Sequence, residues 1–298
     1  MVGVGVTAPL VRRRARLAPA AVTALAGAAP FALAVVRPRT RGRDVGVCAL
    51  QMWAYVAAYK MPHDDPSGLE RRVHVDYPIR ADRLLGGGTL PTVRLQRALA
   101  RPGAITAADE VLVWAHWLWF FVPHTALAYI LWRRSDMFDR AACLTYAVFD
   151  LGAAVYWLVP TAPPWYAARE GRLGPIEPPV RRMMVEHGEG FWRAGWQPLY
   201  SLLGGNPLAA MPSVHFATSV MAAHLLAEAG SVEGVVGWGY AATLGFALVY
   251  LGEHYVVDLL AGLALTEGLR RATPRAAPLA YRIGRVISRL EARAHAPA

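Results

Sequence analysis

Two short stretches carry the side chains best suited to acid-base and nucleophilic chemistry: Met211-Pro212-Ser213-Val214-His215 and Gly252-Glu253-His254-Tyr255-Val256-Val257-Asp258. Each opens an otherwise apolar run, so two imidazoles and a carboxylate are carried toward lipid depth. A charge at the bilayer centre costs roughly 2.5 to 3.5 kcal/mol on insertion scales, which makes an ionisable residue there a functional-site candidate by default. On a helix, positions four apart share a face, so Asp258 is placed to accept an N–H from His254. Such a bond fixes the tautomer, aims the other ring nitrogen as nucleophile or base, and stabilises the positive charge that develops on it. On spacing alone, a buried structural pair is the alternative. Pro212 suits the first turn of a helix, whose free N–H groups with the Ser213 hydroxyl would cradle an anion. His215 beside that anion would protonate a leaving oxygen, a role worth about 10² to 10⁴ in rate; a helix cap followed by a core histidine is the plainer reading.

Combined, an anion cradle with an acid and an oriented nucleophile are what phosphoryl transfer through a covalent phosphohistidine requires. His215, His254 and Asp258 could instead form a facial metal triad. The spacing of Asp258 from His254 fits an orienting role better, and there is neither an HExxH nor a cysteine cluster, so no metal and no cofactor is expected.

These residues need elements that hold them in a membrane. The chain is 55% hydrophobic with ten tryptophans, and its apolar residues fall in blocks at 17–36, 45–60, 111–132, 141–159, 208–228, 235–251 and 255–270. At about 1.5 Å rise per residue, Val111 to Trp132 is long enough to cross a hydrocarbon core of about 30 Å. The fold class expected is all-α, a polytopic membrane bundle of six core transmembrane helices with a candidate extra helix at the N-terminus. A cleaved leader is the alternative for 1–36, disfavoured by the length of the apolar part and by the Arg37 to Arg43 cluster behind it; Pro30 is a potential kink. The domain reading is a basic N-terminal segment over 1–44, a catalytic membrane domain over 45–270 with a site loop at 160–207 and motifs at 211–215 and 252–258, and a basic cytoplasmic tail over 271–298.

The net charge of +10 is almost all arginine, Lys60 being the sole lysine. The arginines flank apolar blocks, which speaks for orientation and anionic lipid headgroups as partners and against nucleic acid. Arg133, Arg134, Arg140 and the tail after Gly268 set the cytoplasmic side; parity then puts both motifs and the 160–207 segment on the outer face. Parity also sends 61–110 outside despite its arginines, and the Arg80 to Arg101 part is expected to lie as amphipathic helices among headgroups. Cys48 and Cys143, inside apolar blocks, read as packing residues.

At the two motifs the chain resembles the type 2 phosphatidic acid phosphatase superfamily, whose second and third motifs end in Ser-x-His and His-x-x-x-Asp. Ala210 to Ala217, His254 to Gly262, Pro160 to Tyr166, and the stretches Asp82-Arg83-Leu84-Leu85 and Leu90-Pro91-Thr92 are similar to the inositol phosphorylceramide synthase branch. The resemblance covers roughly 140–270 and implies a nucleophilic His254, an orienting Asp258 and a general acid His215. It implies an integral-membrane phosphotransferase that moves a phospho-headgroup, phosphoinositol foremost, from a lipid donor to a hydroxyl acceptor, in a bacterial plasma membrane. A lipid phosphate or pyrophosphate phosphatase is the close alternative; a silent scaffold or transporter and a vanadate-dependent oxidase are more distant ones.

Two departures stand out. The family's first motif, a lysine followed by Arg-Pro, is matched in spacing only by Arg94 with Arg101-Pro102, and the arginine expected before the third-motif histidine is replaced by Phe246-Ala247-Leu248-Val249-Tyr250. Val214 also stands where soluble-type enzymes have glycine. The phosphate-holding residues are therefore sought in Ser213, Arg94, Arg101, Arg182 and Arg193, with Arg169, Arg172 and Arg181 as further candidates. The missing clamp favours a phosphodiester of lower charge over a monoester. His116, His124, Asp150 and His224 lie inside apolar blocks and read first as structural residues satisfied within the bundle, with lining of the cavity as the alternative. Glu253 projects about 100 degrees from His254 and is expected to meet substrate or water.

Overall fold

The computed structural model describes residues 1–174, 180–203 and 205–294, and among them the chain is helical, with no strands. The N-terminal third forms α1 (Val2–Val11), α2 (Pro19–Val36) and α3 (Arg41–Lys60), followed by the short α4 (Pro66–Arg72), α5 (Asp76–Leu85) and α6 (Pro91–Leu99). The middle third holds α7 (Ala107–Leu118), α8 (Val122–Arg133), α9 (Phe138–Leu158), α10 (Pro164–Arg169), α11 (Met183–Trp192) and α12 (Trp196–Leu203). Last come α13 (Val214–Ala229), α14 (Ser231–Tyr250) and α15 (Val256–Ala294).

The protein is an all-α membrane helix bundle. Among the described residues, α2, α9 and α14 are long and apolar enough to cross a bilayer, and α7 with α8 make a fourth span if their bent pair counts as one. The apolar blocks thus become helices, with informative differences. The 111–132 block is not one rod: α7 and α8 meet at 58° across Trp119 to Phe121, where Pro123, near the start of α8, has no N–H to continue the ladder. Block 208–228 becomes helical only at Val214, because the preceding chain is extended. Thr161 bridges to both His74 and Ala209, and Met211–Pro212 is a cis peptide. α2 continues through Pro30. The expected tail from 271 is a continuation of α15 as far as Ala294.

α13 is the hub, packed against α8, α9, α14 and α15. In lipid no hydrophobic force draws helices together, so small residues that allow close approach carry the packing. A Cβ on Gly262 would lie 2.7 Å from the Ser213 carbonyl oxygen, and one on Gly152 would lie 2.2 Å from Val214 Cγ2. α15 and α9 therefore close on the start of α13 at the level of the motifs. Val214, Ala217, Met221 and Leu225 of α13 continue this contact into a core with Phe149, Ile130 and Tyr156.

Candidate active site

The first motif is built around the N-terminus of α13. Ser213 is the N-cap, its hydroxyl accepting the Phe216 N–H at 3.3 Å, and its side chain is fully buried. Pro212 precedes the cap instead of occupying the first turn. Ser213 thus caps the helix, its hydroxyl satisfying one of the free N–H groups expected to cradle an anion. Tyr156 of α9 braces the turn, donating to the Pro212 carbonyl at 2.8 Å and accepting the Val214 N–H at 3.3 Å.

The second motif is a turn between α14 and α15. Gly252 adopts φ +80°, a left-handed conformation that glycine tolerates, and a Cβ there would stand 2.5 Å from Val180 Cγ1. His254 lies in this turn, two residues before α15, held by its backbone N–H to Leu248 O at 3.0 Å. The four-residue spacing to Asp258 works across the helix start instead of along a helical face. Asp258 Oδ2 accepts the Tyr255 N–H at 2.9 Å and faces His254 Nδ1 at 3.4 Å. The next two N–H groups, of Val256 and Val257, donate to the two carboxylate oxygens of Asp82 on α5, at 3.1 and 2.9 Å. Two carboxylates thus cap α15 and fix the turn that presents His254. Burial, reinforced by nearby Asp258, pushes the Asp82 carboxyl up to about 6, although both backbone N–H groups pull the other way.

The two motifs meet. The Ser213 N–H donates to the Asp258 carbonyl at 2.9 Å, and His215 Nδ1 lies 3.1 Å from His254 Nε2. Asp258, His254 and His215 form a continuous chain in which His254 is only 3% exposed and Asp258 is fully buried. With both rings neutral, one proton pattern satisfies it: His254 donates from Nδ1 to Asp258 and accepts at Nε2 from His215 Nδ1. The nitrogen so left with a directed lone pair is His254 Nε2.

Of the four arginines read as substrate-binding, only Arg182 comes beside this chain. It pairs with Glu253 at 2.9 and 3.3 Å and stacks on Trp165 at 3.9 Å from the ring centroid. Burial works against the Arg182 charge, but the Glu253 carboxylate more than restores it, so its pKa lies above the ordinary value. Glu253 accordingly meets a guanidinium. Arg94 is exposed in the wall of an open groove of about 430 Å³ with Leu95, Phe246 and Val256. Arg101 and Arg193 are exposed, and neither touches the histidines among the described residues. Arg172 pairs with Asp76, Arg181 with Glu186, and Arg169 stacks on Tyr166 at 4.7 Å.

Further residues from α6 and α7 hold or line the site. His116 of α7 stands with its ring centroid 5.1 Å from that of His215, and Trp119 lies closer still at 4.1 Å. Gln96 of α6 ties the start of the second motif to the loop, donating to Tyr250 O at 2.8 Å and Arg181 O at 2.9 Å and accepting the Arg181 N–H. Asp82 lies on a stretch expected to be an interfacial helix and similar to the family, and no local pattern marks its function as a cap. Among the described residues, no group of three or more histidine, cysteine, aspartate or glutamate side chains is arranged to hold a metal ion.

The family model described as the PAP2 superfamily matches residues 79–269, well over half of the chain. The chain belongs to the PAP2 superfamily. It is therefore a membrane phosphatase or phosphotransferase of the type 2 phosphatidic acid phosphatase class. The match begins upstream of Asp82 and ends beyond Asp258, so it takes in most of α5, all of α6 and both motifs. No curated protein and no solved structure matches the chain.

Proposed function

We propose that the protein is a phosphotransferase that takes a phospho-headgroup from a lipid donor onto His254 and passes it to a hydroxyl acceptor, with phosphoinositol as the headgroup. The observation that carries this reading is the chain from Asp258 through His254 to His215, with contacts of 3.4 and 3.1 Å. His254 Nε2 attacks phosphorus, the P–O bond to the lipid breaks, and the leaving oxygen takes a proton from His215, which enters this step as the imidazolium and leaves it as the neutral ring. The positive charge on the phosphorylated ring is balanced by Asp258, whose Oδ2 stays in place because Tyr255 N–H holds it. In the second half the acceptor O–H attacks phosphorus, its proton goes to His215, and the N–P bond breaks to restore His254. Two nitrogens 3.1 Å apart leave no room for phosphorus between them, so substrate must part the rings.

The charge around the site favours a phosphodiester donor. The guanidinium beside the histidines, Arg182, is already neutralised by Glu253, which leaves little cationic charge for a dianionic monoester. The arginine distribution supports a site on the outer face and a cytoplasmic C-terminus. The test uses the full-length protein in lipid nanodiscs with a phosphoinositol lipid carrying ³²P and a hydroxyl lipid acceptor. A labelled product lipid is expected. Labelled phosphate or inositol phosphate alone would overturn the transferase reading and leave a phosphatase, in which water is the acceptor.

A further inference from the structure

The α7–α8 bend leaves one imidazole of the site unexplained. His116 sits in the last turn of α7, and that turn is pinned from both sides. Tyr240 of α14 donates to Ala115 O at 2.8 Å, and Trp119 Nε1 donates to Thr218 Oγ1 of α13 at 2.8 Å. These bonds hold the His116 ring against His215. Its Nδ1 is closed off from solvent and has no hydrogen-bond partner. His124 bonds Phe120 O through Nδ1 and leaves its Nε2 unpaired, His224 bonds Glu267, and His215 and His254 bond each other; of the intramembrane histidines with an unpaired nitrogen, His116 is the one whose ring lies against His215. An amide or hydroxyl buried without a partner costs several kcal/mol in hydrocarbon, and a ring nitrogen faces the same penalty, so a fixed and unpaired donor-acceptor beside a reacting centre calls for a ligand.

We propose that His116 is a substrate-binding residue whose ring donates a hydrogen bond to a non-bridging phosphoryl oxygen once substrate has parted His215 from His254. This rests on the phosphohistidine reading of the site. An imidazole offers one directed N–H and at most a single charge, where a lysine and arginine clamp would offer several donors and two charges. His116 would thereby select a singly charged phosphodiester over a dianionic monoester, a preference built into α7 and not into either motif.

The test separates the donor from the packing of the ring. His116→Phe keeps an aromatic ring and removes the donor; His116→Gln keeps a donor and removes the ring. Binding of vanadate to the full-length protein in detergent is measured by titration calorimetry, with the melting temperature of each sample recorded. His116→Phe is expected to weaken vanadate by about 10- to 100-fold, the range for a hydrogen bond to a charged group, and His116→Gln by less. In a companion assay, His116→Lys is expected to raise turnover of a lipid phosphomonoester relative to a phosphodiester. Unchanged vanadate affinity in folded His116→Phe, or a greater loss in His116→Gln than in His116→Phe, would overturn the assignment. If that happens while the wild type still forms a phosphoenzyme that His254→Ala abolishes, His116 alone is misassigned. If the wild type forms no phosphoenzyme, the underlying mechanism fails as well.

Discussion

Asp258 serves two neighbours with one oxygen, and that arrangement predicts an unusual ordering of its variants. Oδ2 accepts the Tyr255 N–H at 2.9 Å and faces His254 Nδ1 at 3.4 Å, while Oδ1 makes no hydrogen bond. In Asp258→Asn the Tyr255 N–H selects the amide oxygen for the Oδ2 position, so His254 still meets an acceptor and keeps its tautomer. What is lost is the carboxylate charge. Hydrogen bonds to charged groups contribute about 1.5 to 3 kcal/mol and neutral ones about 0.5 to 1.5, so the difference of about 1 to 1.5 kcal/mol corresponds to roughly a tenfold loss of rate. In serine hydrolases, by contrast, the same amide replacement costs about 10⁴ because it imposes the wrong tautomer. Asp258→Ala removes the acceptor, the charge and part of the helix cap. It is expected to lose at least about 10³ in turnover and about 0.5 to 2 kcal/mol in stability. Release of ³²P from a headgroup-labelled lipid, measured alongside thermal unfolding, checks both. If Asn proves as damaging as Ala, or Ala costs less than about threefold, the two-acceptor argument fails.

Three further expectations follow from the packing and charge around the motifs. Asp82 titrates near 6 in the folded protein, above its ordinary value, so its contribution to stability is fully present at low pH and is lost as pH rises through about 6; Asp82→Asn should flatten that step in melting temperature, and an unchanged step would assign it to another group. Over the same interval the ionised carboxylate is what best holds the Val256 and Val257 N–H groups, so wild-type activity should rise as Asp82 deprotonates, and Asp82→Asn should lose this limb of the pH–rate profile. Gly262→Ala forces a Cβ to within 2.7 Å of Ser213 O, an overpacking that costs about 1 to 3 kcal/mol and spreads α13 from α15. Activity should fall more than stability, whereas Gly268→Ala, with open space around it, should leave both intact.

How far the site could be read from sequence depends on how local each interaction is. The Ser213 to His215 and His254 to Asp258 spacings lie within a few residues and announce themselves as chemistry. Their joining, Nδ1 to Nε2 at 3.1 Å, needs α13 and α15 to approach where Gly262 permits it, and an isolated glycine in an apolar run does not reveal that. Asp82 reaches across 174 positions to cap α15, and its surroundings, an amphipathic interfacial helix with a family resemblance, do not point to that contact. A guanidinium near an apolar block looks alike whether it is exposed, as Arg94, Arg101 and Arg193 are, or paired with a carboxylate beside the site, as Arg182 is. His116 owes its place beside His215 to the 58° break between Val111 and Trp132; Pro123 marks a break in the sequence but not which side chains the bend brings together.

The claim on which everything else stands is that His254 carries the phosphoryl group. The wild-type protein and His254→Ala are to be incubated with a ³²P-headgroup lipid, quenched in alkali, where a phosphohistidine survives, and mapped by peptide mass spectrometry. Acid-labile label on His254 in the wild type and no labelled protein in the variant are expected. Label that persists in His254→Ala, or a wild type that turns over lipid with no trapped intermediate, would contradict it.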